Sequence, residues 1–478
     1  PAMALTGSRQ WTRLRRTLLR KSVITVLLAS GSVILLYNAV KLSPVSKKQF
    51  AAHDLQGRQA LAHGYPEINW YVFVCGVACT MANTLAYDRA HLGEENNDPG
   101  FQDNGGKASM ATRIALATQY CRRKTTLHSN DTDIQPVPRN VKNCKLYSPS
   151  RSTKFCPIAK IASTFWVRLY KVLEKQSNVS VLDSPFSVPL AKADSQRCVN
   201  ASRKPFTAGK IIRGTFVREP FSRVFSAYVD KLLSPNPYLW GGWGKAAMRL
   251  GGVPADAVHC GERVTFRQFL RLINDRLYRH DYHVIPMAAQ CDPCREEFDF
   301  IGKMETFPAD LEYFMSLLGT TFKPEVKMSQ EAKEDAIYDS IQGPFSWKSS
   351  IVKCVSTDEM GKRIWRKLQI RGLISSSIDY PFGLQDLTNM TTEEYLAVAV
   401  NASKHSTDKL ALTRQKRQAL VEAFRTVAMS DILRYQKIFQ DDFEAFGYDT
   451  HPAFVFDRTG EFLDTDAFNF NAPWEIPE

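Results

Sequence analysis

The first 48 residues contain no Asp or Glu, although they hold nine Lys and Arg residues. The whole chain of 478 residues has a net charge of +13, with 62 basic and 49 acidic residues. Without the N-terminal nine, 53 basic residues face the same 49 acidic ones, and the net charge is only +4. The basic excess is therefore a terminal flank, which argues against a nucleic-acid-binding body. Any basic site in the body must be local.

Charge is also missing from residues 22–40, "SVITVLLASGSVILLYNAV", a mostly apolar run of 19 residues. A helix of about 20 residues spans a bilayer. Six basic residues precede the run and three follow it, so the positive-inside rule assigns residues 1–21 to the cytoplasm. A cleaved signal peptide is the alternative, but its apolar core has only about 7–15 residues. The pattern favours a signal-anchor transmembrane helix and a type II membrane protein with a luminal body.

Two further features are typical of a luminal protein. The chain contains ten cysteines, which suit a compartment where disulfide bonds persist. The Cys291–Cys294 pair, "CDPC", could bind zinc instead of forming disulfides. No second C-x-x-C or H-x-x-x-H motif accompanies it, so we expect no metal. Five asparagines beyond residue 40 lie in Asn-x-Ser/Thr glycosylation sequons: Asn130, Asn178, Asn200, Asn389 and Asn401.

The luminal part shows no internal repeat, and its composition changes along the chain. Residues 41–64 are predicted to be a stem, and residues 65–151 a variable region packed on the body. In residues 152–450, strand-like runs alternate with helical ones, which predicts an α/β domain with a parallel central sheet flanked by helices. Residues 451–478 form an aromatic, proline-containing tail.

The first candidate site is the stretch "CPIAKIASTFW". An apolar strand leads into a turn with Lys160, and Ser163 and Thr164 then open an amphipathic helix. A helix N-terminus with a nearby lysine is a ready anion site. The alternative is ordinary N-capping by one of the hydroxyls. The G-x-x-x-x-G-K-[ST] spacing is absent, which disfavours a nucleoside triphosphatase.

The second candidate is the stretch "FVREPFSRVFSAYVDKLL". A strand ends at Arg218, and Pro220 suits the first position of a helix that carries Ser226. Arginine and serine placed in this way can converge on one anion. The alternative is a capped helix in which Arg218 pairs with Glu219 or Asp230.

The two stretches together resemble the 5′-phosphosulfate loop and the 3′-phosphate motif of Golgi carbohydrate sulfotransferases. The branch they resemble contains the chondroitin and dermatan 4-O-sulfotransferases and the glucuronyl 3-O-sulfotransferase. Three more segments, "VTFRQFL", "DYHVIPMAAQCDPCREEFDFIGKMET" and "DILRYQKIFQDDFEAFGYD", follow in the family's order. The resemblance covers residues 154–449. It implies a P-loop-like sulfotransferase fold, the donor 3′-phosphoadenosine 5′-phosphosulfate (PAPS), and no metal.

The resemblance also implies roles for particular residues. Arg218 and Ser226 would bind the donor's 3′-phosphate. Two departures from the family pattern are Ala159, where proline is usual, and Val284, where tryptophan is usual. The residues that would hold the 5′-phosphosulfate are Lys160, Ile161, Ala162, Ser163 and Thr164.

Sulfuryl transfer also needs a base and an acceptor. Imidazole can take a hydroxyl proton near neutral pH, and of the nine histidines His283 lies in a segment that resembles the family, so it is the predicted base, with Lys160 as the cation that stabilises the leaving phosphate. His280 and Glu305 are the alternatives to His283. The acceptor is expected to be a chondroitin- or dermatan-like or a glucuronyl-terminated glycan. The loop "WGGWGKAAMR", residues 240–249, is the candidate acceptor loop, with a buried aromatic turn as its alternative.

Two other classes of protein remain open from the sequence. One is a luminal glycan-binding protein that keeps the fold without transfer, which the changes at Ala159 and Val284 favour. The other is a membrane-anchored nucleotide kinase, which the missing glycine-rich spacing disfavours.

Overall fold

Two short strands lie inside the segment predicted to be a transmembrane helix. The structure is a computed structural model that describes residues 26–29, 32–35, 103–126, 134–138, 145–189, 209–383, 386–459 and 465–475. Strand β1 (Val26–Ala29) pairs antiparallel with β2 (Ser32–Leu35). These residues belong to one compact unit, Pro1–Asp88, and all others described below belong to a second, Arg89–Glu478.

The predicted helix over residues 22–40 is thus not what the described part of that segment forms. Val and Ile are frequent in it, and β-branched residues favour extended backbone. In the sequence, Ser30 and Gly31 interrupt the apolar run at its middle. Among the described residues, no helix has both the length and the apolar character needed to cross a membrane.

The second unit is built on a four-stranded sheet with the order β3–β4–β6–β7. Strands β4, β6 and β7 are parallel, which confirms the predicted α/β class. Strand β3 is antiparallel to β4, so the sheet is mixed rather than wholly parallel. Only four residues join β3 to β4, and so short a link can only reverse the chain. The strands of this unit are β3 (Leu146–Ser148), β4 (Thr153–Cys156), β5 (Val181–Leu182), β6 (Ile212–Val217), β7 (Phe300–Lys303) and β8 (Thr321–Phe322).

Helices cover the sheet and form a second, wholly helical layer beyond it. In the first half of the unit they are α1 (Gly106–Thr126), α2 (Ser163–Lys175), α3 (Pro220–Tyr228), α4 (Pro237–Leu239), α5 (Lys245–Leu250), α6 (Phe266–Asp275), α7 (Met287–Gln290), α8 (Pro293–Glu296) and α9 (Phe307–Leu317). In the second half they are α10 (Met328–Ser346), α11 (Lys348–Ile351), α12 (Thr357–Ile370), α13 (Asp386–Asn389), α14 (Thr392–His405), α15 (Lys409–Arg425), α16 (Met429–Ile438), α17 (Gln440–Phe446) and α18 (Ala453–Phe456). Two π-helical turns, Val229–Leu233 and Trp240–Gly244, follow α3 and α4.

The core of the sheet layer is aromatic. The Phe155 ring stacks on Trp166 with centroids 4.2 Å apart, and Phe216 packs on the same indole at 4.8 Å. A Cβ at Gly302 would lie 2.4 Å from the Phe216 ring, so strand β7 needs glycine at this position. This packing locks β4, α2, β6 and β7 together, and therefore fixes the loops that leave the strands.

Because β4, β6 and β7 are parallel, their C-terminal ends meet at one edge of the sheet. The turn with Lys160 leaves β4 at this edge, Arg218 follows β6, and Glu305 follows β7. The strand register brings the last residue of β4, Cys156, opposite Thr215 of β6. The topology therefore collects the predicted donor-binding segments at one place.

Three disulfide bonds tie distant parts of the unit together. They join Cys121 to Cys294, Cys156 to Cys291, and Cys260 to Cys354. Both cysteines of the "CDPC" pair are thereby used in disulfides, so the zinc alternative for this pair is wrong. The other four cysteines lie outside the described residues.

The surface of the unit carries three of the five sequon asparagines, Asn178, Asn389 and Asn401, and all three residues are exposed. Asn130 and Asn200 lie outside the described residues. Part of the C-terminal tail packs on the body, since Phe468 and Phe470 are buried.

Candidate functional site

The turn between β4 and α2 has an unusual backbone. Lys160 and Ala162 have φ angles of 68° and 48°, the left-handed region that costs a residue with a Cβ about 1–3 kcal/mol. Ala162 is the N-cap of α2 and offers no side-chain oxygen, so neither Ser163 nor Thr164 caps the helix. The capping alternative is therefore wrong. Free N–H groups in the first turn, at the positive end of a 13-residue helix, suit an anion.

The ammonium group of Lys160 lies in a cluster of three lysines around one carboxylate. Asp230 Oδ2 is 2.6 Å from Lys160 Nζ and 3.1 Å from Lys231 Nζ, and Asp230 Oδ1 is 2.9 Å from Lys367 Nζ. We call these four residues the lysine cluster. It carries more positive than negative charge, as a site for a phosphosulfate requires.

Burial and charge move the ionisation of the cluster in known directions. Burial lowers the pKa of Lys160 to about 8, although Asp230 acts in the opposite direction. Burial opposes ionisation of Asp230, but the three lysines more than offset it and hold the pKa of this carboxyl well below its usual range. Burial also works against the charge of Lys231, yet the contact with Asp230 prevails and raises its pKa.

Arg218 lies against the same turn. Its Nη1 donates to the carbonyl oxygen of Lys160 at 3.4 Å, so the two predicted donor-binding segments are in direct contact. The neighbouring Glu219 caps α3 by accepting from the N–H groups of Phe221 and Ser222. Its burial raises its pKa to about 7.

Glu219 caps the helix and Asp230 pairs with lysines, and the pairing of Arg218 with either carboxylate stays an open alternative. Ser226 is half-buried on α3. Its contact with a phosphate stays a prediction.

A buried guanidinium, Arg223, joins the turn to a second loop. Its Nε donates to the carbonyl of Ala159 at 3.2 Å, Nη1 to that of Ile285 at 2.9 Å, and Nη2 to that of His283 at 3.2 Å. Arg223 thus fixes the turn at Ala159, where the family usually has proline. It also links the turn to the segment that carries the predicted base.

His283 is held by a carboxylate. Its Nδ1 lies 2.7 Å from Asp281 Oδ1, which also accepts from the His283 backbone N–H at 2.9 Å. An ionised carboxylate only accepts hydrogen bonds, so Nδ1 carries the proton and Nε2 has the free lone pair. Burial lowers the pKa of His283, Asp281 acts against this effect, and the charges of Lys231 and Lys160 lower it further. The imidazole is therefore neutral at physiological pH, as a base must be.

The two alternatives to His283 have different surroundings. His280 is exposed. Both carboxylate oxygens of Glu305 are engaged, because Oε1 accepts from the Glu219 N–H at 2.9 Å and Oε2 from the Tyr448 hydroxyl at 3.0 Å. His283 is the one of the three that we keep as the predicted base, because it is mostly buried and the charges of Lys231 and Lys160 act on it. Val284, which stands where the family has tryptophan, is buried in the helical core.

The loop at residues 240–249 was the candidate acceptor loop, but the structure shows the alternative, a buried aromatic turn. The Trp240 side chain is 0% exposed and donates from Nε1 to the carbonyl of Leu232 at 2.8 Å. Trp243 is buried and stacks on Phe269. Neither indole has a face free for a sugar, because packing of the helical core takes both. Tyr282 is the exposed aromatic residue beside the base: it is 45% exposed, with its ring 3.9 Å from that of His283.

Three residues of the site escaped the sequence interpretation: Asp281, Lys231 and Lys367. The first two lie within the motifs that resemble the family, two residues before His283 and one after Asp230, so a search for charged neighbours could have found them. Lys367 lies on α12, outside every motif, and only the fold brings it to Asp230.

Comparison with known proteins agrees with this geometry. Residues 146–366 match the model of the sulfotransferase family. Human carbohydrate sulfotransferase 9 is 30% identical over 173 residues, which are 34% of this chain and 38% of that protein. For human carbohydrate sulfotransferase 8 the identity is 30% over 196 residues, 38% of this chain and 45% of the relative. Mouse carbohydrate sulfotransferase 12 is 24% identical over 313 residues, 58% of this chain and 72% of the relative.

The chain thus spans less than half the length of these two human relatives. No solved structure matches it significantly. The matched region begins with β3 and extends into α12, so it contains the whole four-stranded sheet, the turn with Lys160, Arg218, His283 and most of α12. Residues 146–366 are therefore similar to the sulfotransferase family, and the relatives that the chain matches are carbohydrate sulfotransferases.

Proposed function

We propose that this protein is a carbohydrate O-sulfotransferase that transfers a sulfuryl group from PAPS to a glycan hydroxyl. The observation that carries the proposal is the meeting of three groups at one edge of the sheet. A lysine turn opens an uncapped helix, Arg218 touches that turn, and His283 is tied to it through Arg223. A cation, an anion-binding helix end and a neutral base are the groups that sulfuryl transfer requires.

The donor would bind between the two motifs. Residues 160–164 would contact its 5′-phosphosulfate, and Arg218 and Ser226 its 3′-phosphate. The excess positive charge of the lysine cluster and the free N–H groups of α2 support this assignment, since both favour a multiply charged anion.

In the proposed reaction, the oxygen of an acceptor hydroxyl forms a bond to the donor sulfur. The bond between that sulfur and the bridging oxygen of the 5′-phosphate breaks, and adenosine 3′,5′-bisphosphate leaves. The hydroxyl proton passes to Nε2 of His283. The Lys160 ammonium group stabilises the negative charge that grows on the leaving phosphate.

The acceptor would be a glycan of the chondroitin, dermatan or glucuronyl-terminated class. Tyr282 supports a sugar-binding role at the base, because its exposed ring lies directly beside His283 and can pack on a pyranose face. The names of the matched relatives point to carbohydrate acceptors in general.

The proposal includes the location of the enzyme in the Golgi lumen. Its support is the apolar, uncharged run at residues 22–40 between basic flanks, together with three exposed sequons and three disulfides in the body. We propose that this run attaches the protein to the Golgi membrane as a type II protein, which requires it to be helical in the bilayer rather than paired as β1 and β2.

The test is incubation of the purified full chain with PAPS labelled in its sulfuryl group and a panel of desulfated chondroitin, dermatan and glucuronyl-terminated glycans. Label in one glycan class supports the proposal and identifies the acceptor. Binding of adenosine 3′,5′-bisphosphate without transfer to any member would support the glycan-binding alternative. Failure to bind this nucleotide would overturn the donor assignment.

A further inference from the structure

The lysine cluster has an arrangement that donor binding alone does not explain. Asp230 lies among three ammonium groups that come from three different elements: the turn after β4, the π-helical turn after α3, and α12. Lys367 is only 3% exposed, so it is not available to a large ligand from outside. It also contacts Ser234 Oγ at 3.4 Å. Lys367 therefore serves the carboxylate rather than a ligand from outside.

The charges that act on Lys160 differ in sign. Asp230 favours its protonated form, whereas Lys231 and Lys367 disfavour it. His283 lies close enough to respond to the charge of Lys160, and the Arg218 guanidinium contacts the Lys160 carbonyl. The charges of Tyr282 and Asp339 also help to raise the pKa of Lys231. Among these groups, Asp230 alone both touches the Lys160 ammonium group and carries a negative charge that favours it.

A lysine that stabilises a leaving phosphate must be both charged and correctly placed. Burial works against the charge at this position. Asp230 can compensate only if it stays ionised, and burial opposes its ionisation as well. The second and third lysines keep it ionised.

We propose that Asp230 is a positioning residue for sulfuryl transfer: its carboxylate holds the Lys160 ammonium group in place and protonated, and Lys231 and Lys367 hold the carboxylate itself. This inference rests on the proposed function only for its catalytic consequence. The effect on Lys160 is a property of the free protein and can be measured without any substrate.

The direct test follows the protonation of Lys160 in the purified full chain. Trace acetylation with acetic anhydride over a range of pH, read by mass spectrometry of the peptide that contains Lys160, gives the midpoint at which the amine becomes reactive. In the wild type we expect this midpoint at about 8. Asp230→Asn should lower it by about 1–3 pH units, because an opposite charge in contact shifts a pKa by that amount. Asp230→Glu keeps the negative charge, so its midpoint should return most of the way to the wild-type value.

A second variant moves the midpoint in the other direction. Lys367→Met removes a positive charge that disfavours protonation of Lys160, while Lys160 and Lys231 remain to keep Asp230 ionised, so the midpoint of Lys160 should rise. General damage to the fold would not produce shifts of opposite sign at one amine. Asp256→Asn is the control: it removes a negative charge from an exposed position outside the lysine cluster, and the midpoint should stay at the wild-type value.

Equal midpoints in the wild type and in Asp230→Asn would overturn the inference, and so would shifts of the same sign in both cluster variants. If the chain transfers sulfate, the alkaline limb of kcat/KM for the donor should move with the acetylation midpoint in each variant. If it transfers none and binds no adenosine 3′,5′-bisphosphate, the proposed function fails while the acetylation result still decides the role of Asp230.

Discussion

Replacement of His283 by alanine should reduce turnover strongly while sparing the donor site. A positioned general base contributes about 10²–10⁴ in rate, which corresponds to about 2.7–5.4 kcal/mol of activation free energy. The structure favours a large effect, because Asp281 fixes the tautomer that leaves Nε2 free, and burial keeps the imidazole neutral. The donor's KM should change little, because the ammonium group of Lys160 and the guanidinium of Arg218 remain in place.

The assay is steady-state transfer of labelled sulfate with both substrates varied, and nucleotide binding by calorimetry. His283→Asn is the matched control: its amide N–H lies near the position of Nδ1–H and can still donate to Asp281, but it cannot act as a base, so kcat should fall as far as in the alanine variant. His280→Ala tests the alternative base. A kcat of His283→Ala within a few-fold of the wild type would refute the assignment, and loss of turnover in His280→Ala alone would transfer the role to that residue.

Three further predictions concern the donor, pH and the acceptor. Arg218→Ala should weaken adenosine 3′,5′-bisphosphate binding by about 1.5–3 kcal/mol, the value of a hydrogen bond to a charged group, and unchanged affinity in calorimetry would contradict its role. The pH profile of kcat/KM for the donor should fall on the alkaline side near pH 8, because Lys160 loses its proton as pH rises through its pKa of about 8. The acid limb should lie below the ordinary histidine pKa, because burial lowers that of His283; a flat profile would remove both residues from the mechanism. Tyr282→Ala should raise the acceptor's KM roughly fivefold through loss of about 1 kcal/mol of apolar contact, with the donor's KM unchanged.

The sequence was informative where local chemistry determines the structure. Pro220 at the first position of α3, the strand before Arg218, and the turn with Lys160 followed by a helix at Ser163 were all predicted and are all present. In these segments, periodicity and helix-start signals act over a few residues, so a short window contains the necessary information. The contact between Lys160 and Arg218 follows from the parallel order of β4 and β6.

Other features depend on partners far away in the chain. From the sequence, the indoles of Trp240 and Trp243 could face either a sugar or the core. The structure decides for the core, because Trp240 donates to the carbonyl of Leu232 and Trp243 stacks on Phe269. Lys367 is indistinguishable in the sequence from any other helix lysine. The antiparallel strand β3 was missed because three residues carry too weak a pattern.

Arg223 has a consequence for how such an enzyme could change its substrate. One rigid side chain spans the carbonyls of Ala159, His283 and Ile285, so the cation-bearing turn and the base-bearing turn form a single mechanical unit. A mutation that shifts one turn should therefore shift the other as well, so a change inside this unit disturbs both the cation and the base. New acceptor preferences should therefore evolve, or be engineered, on exposed neighbours such as Tyr282 while the spacing between cation and base stays untouched.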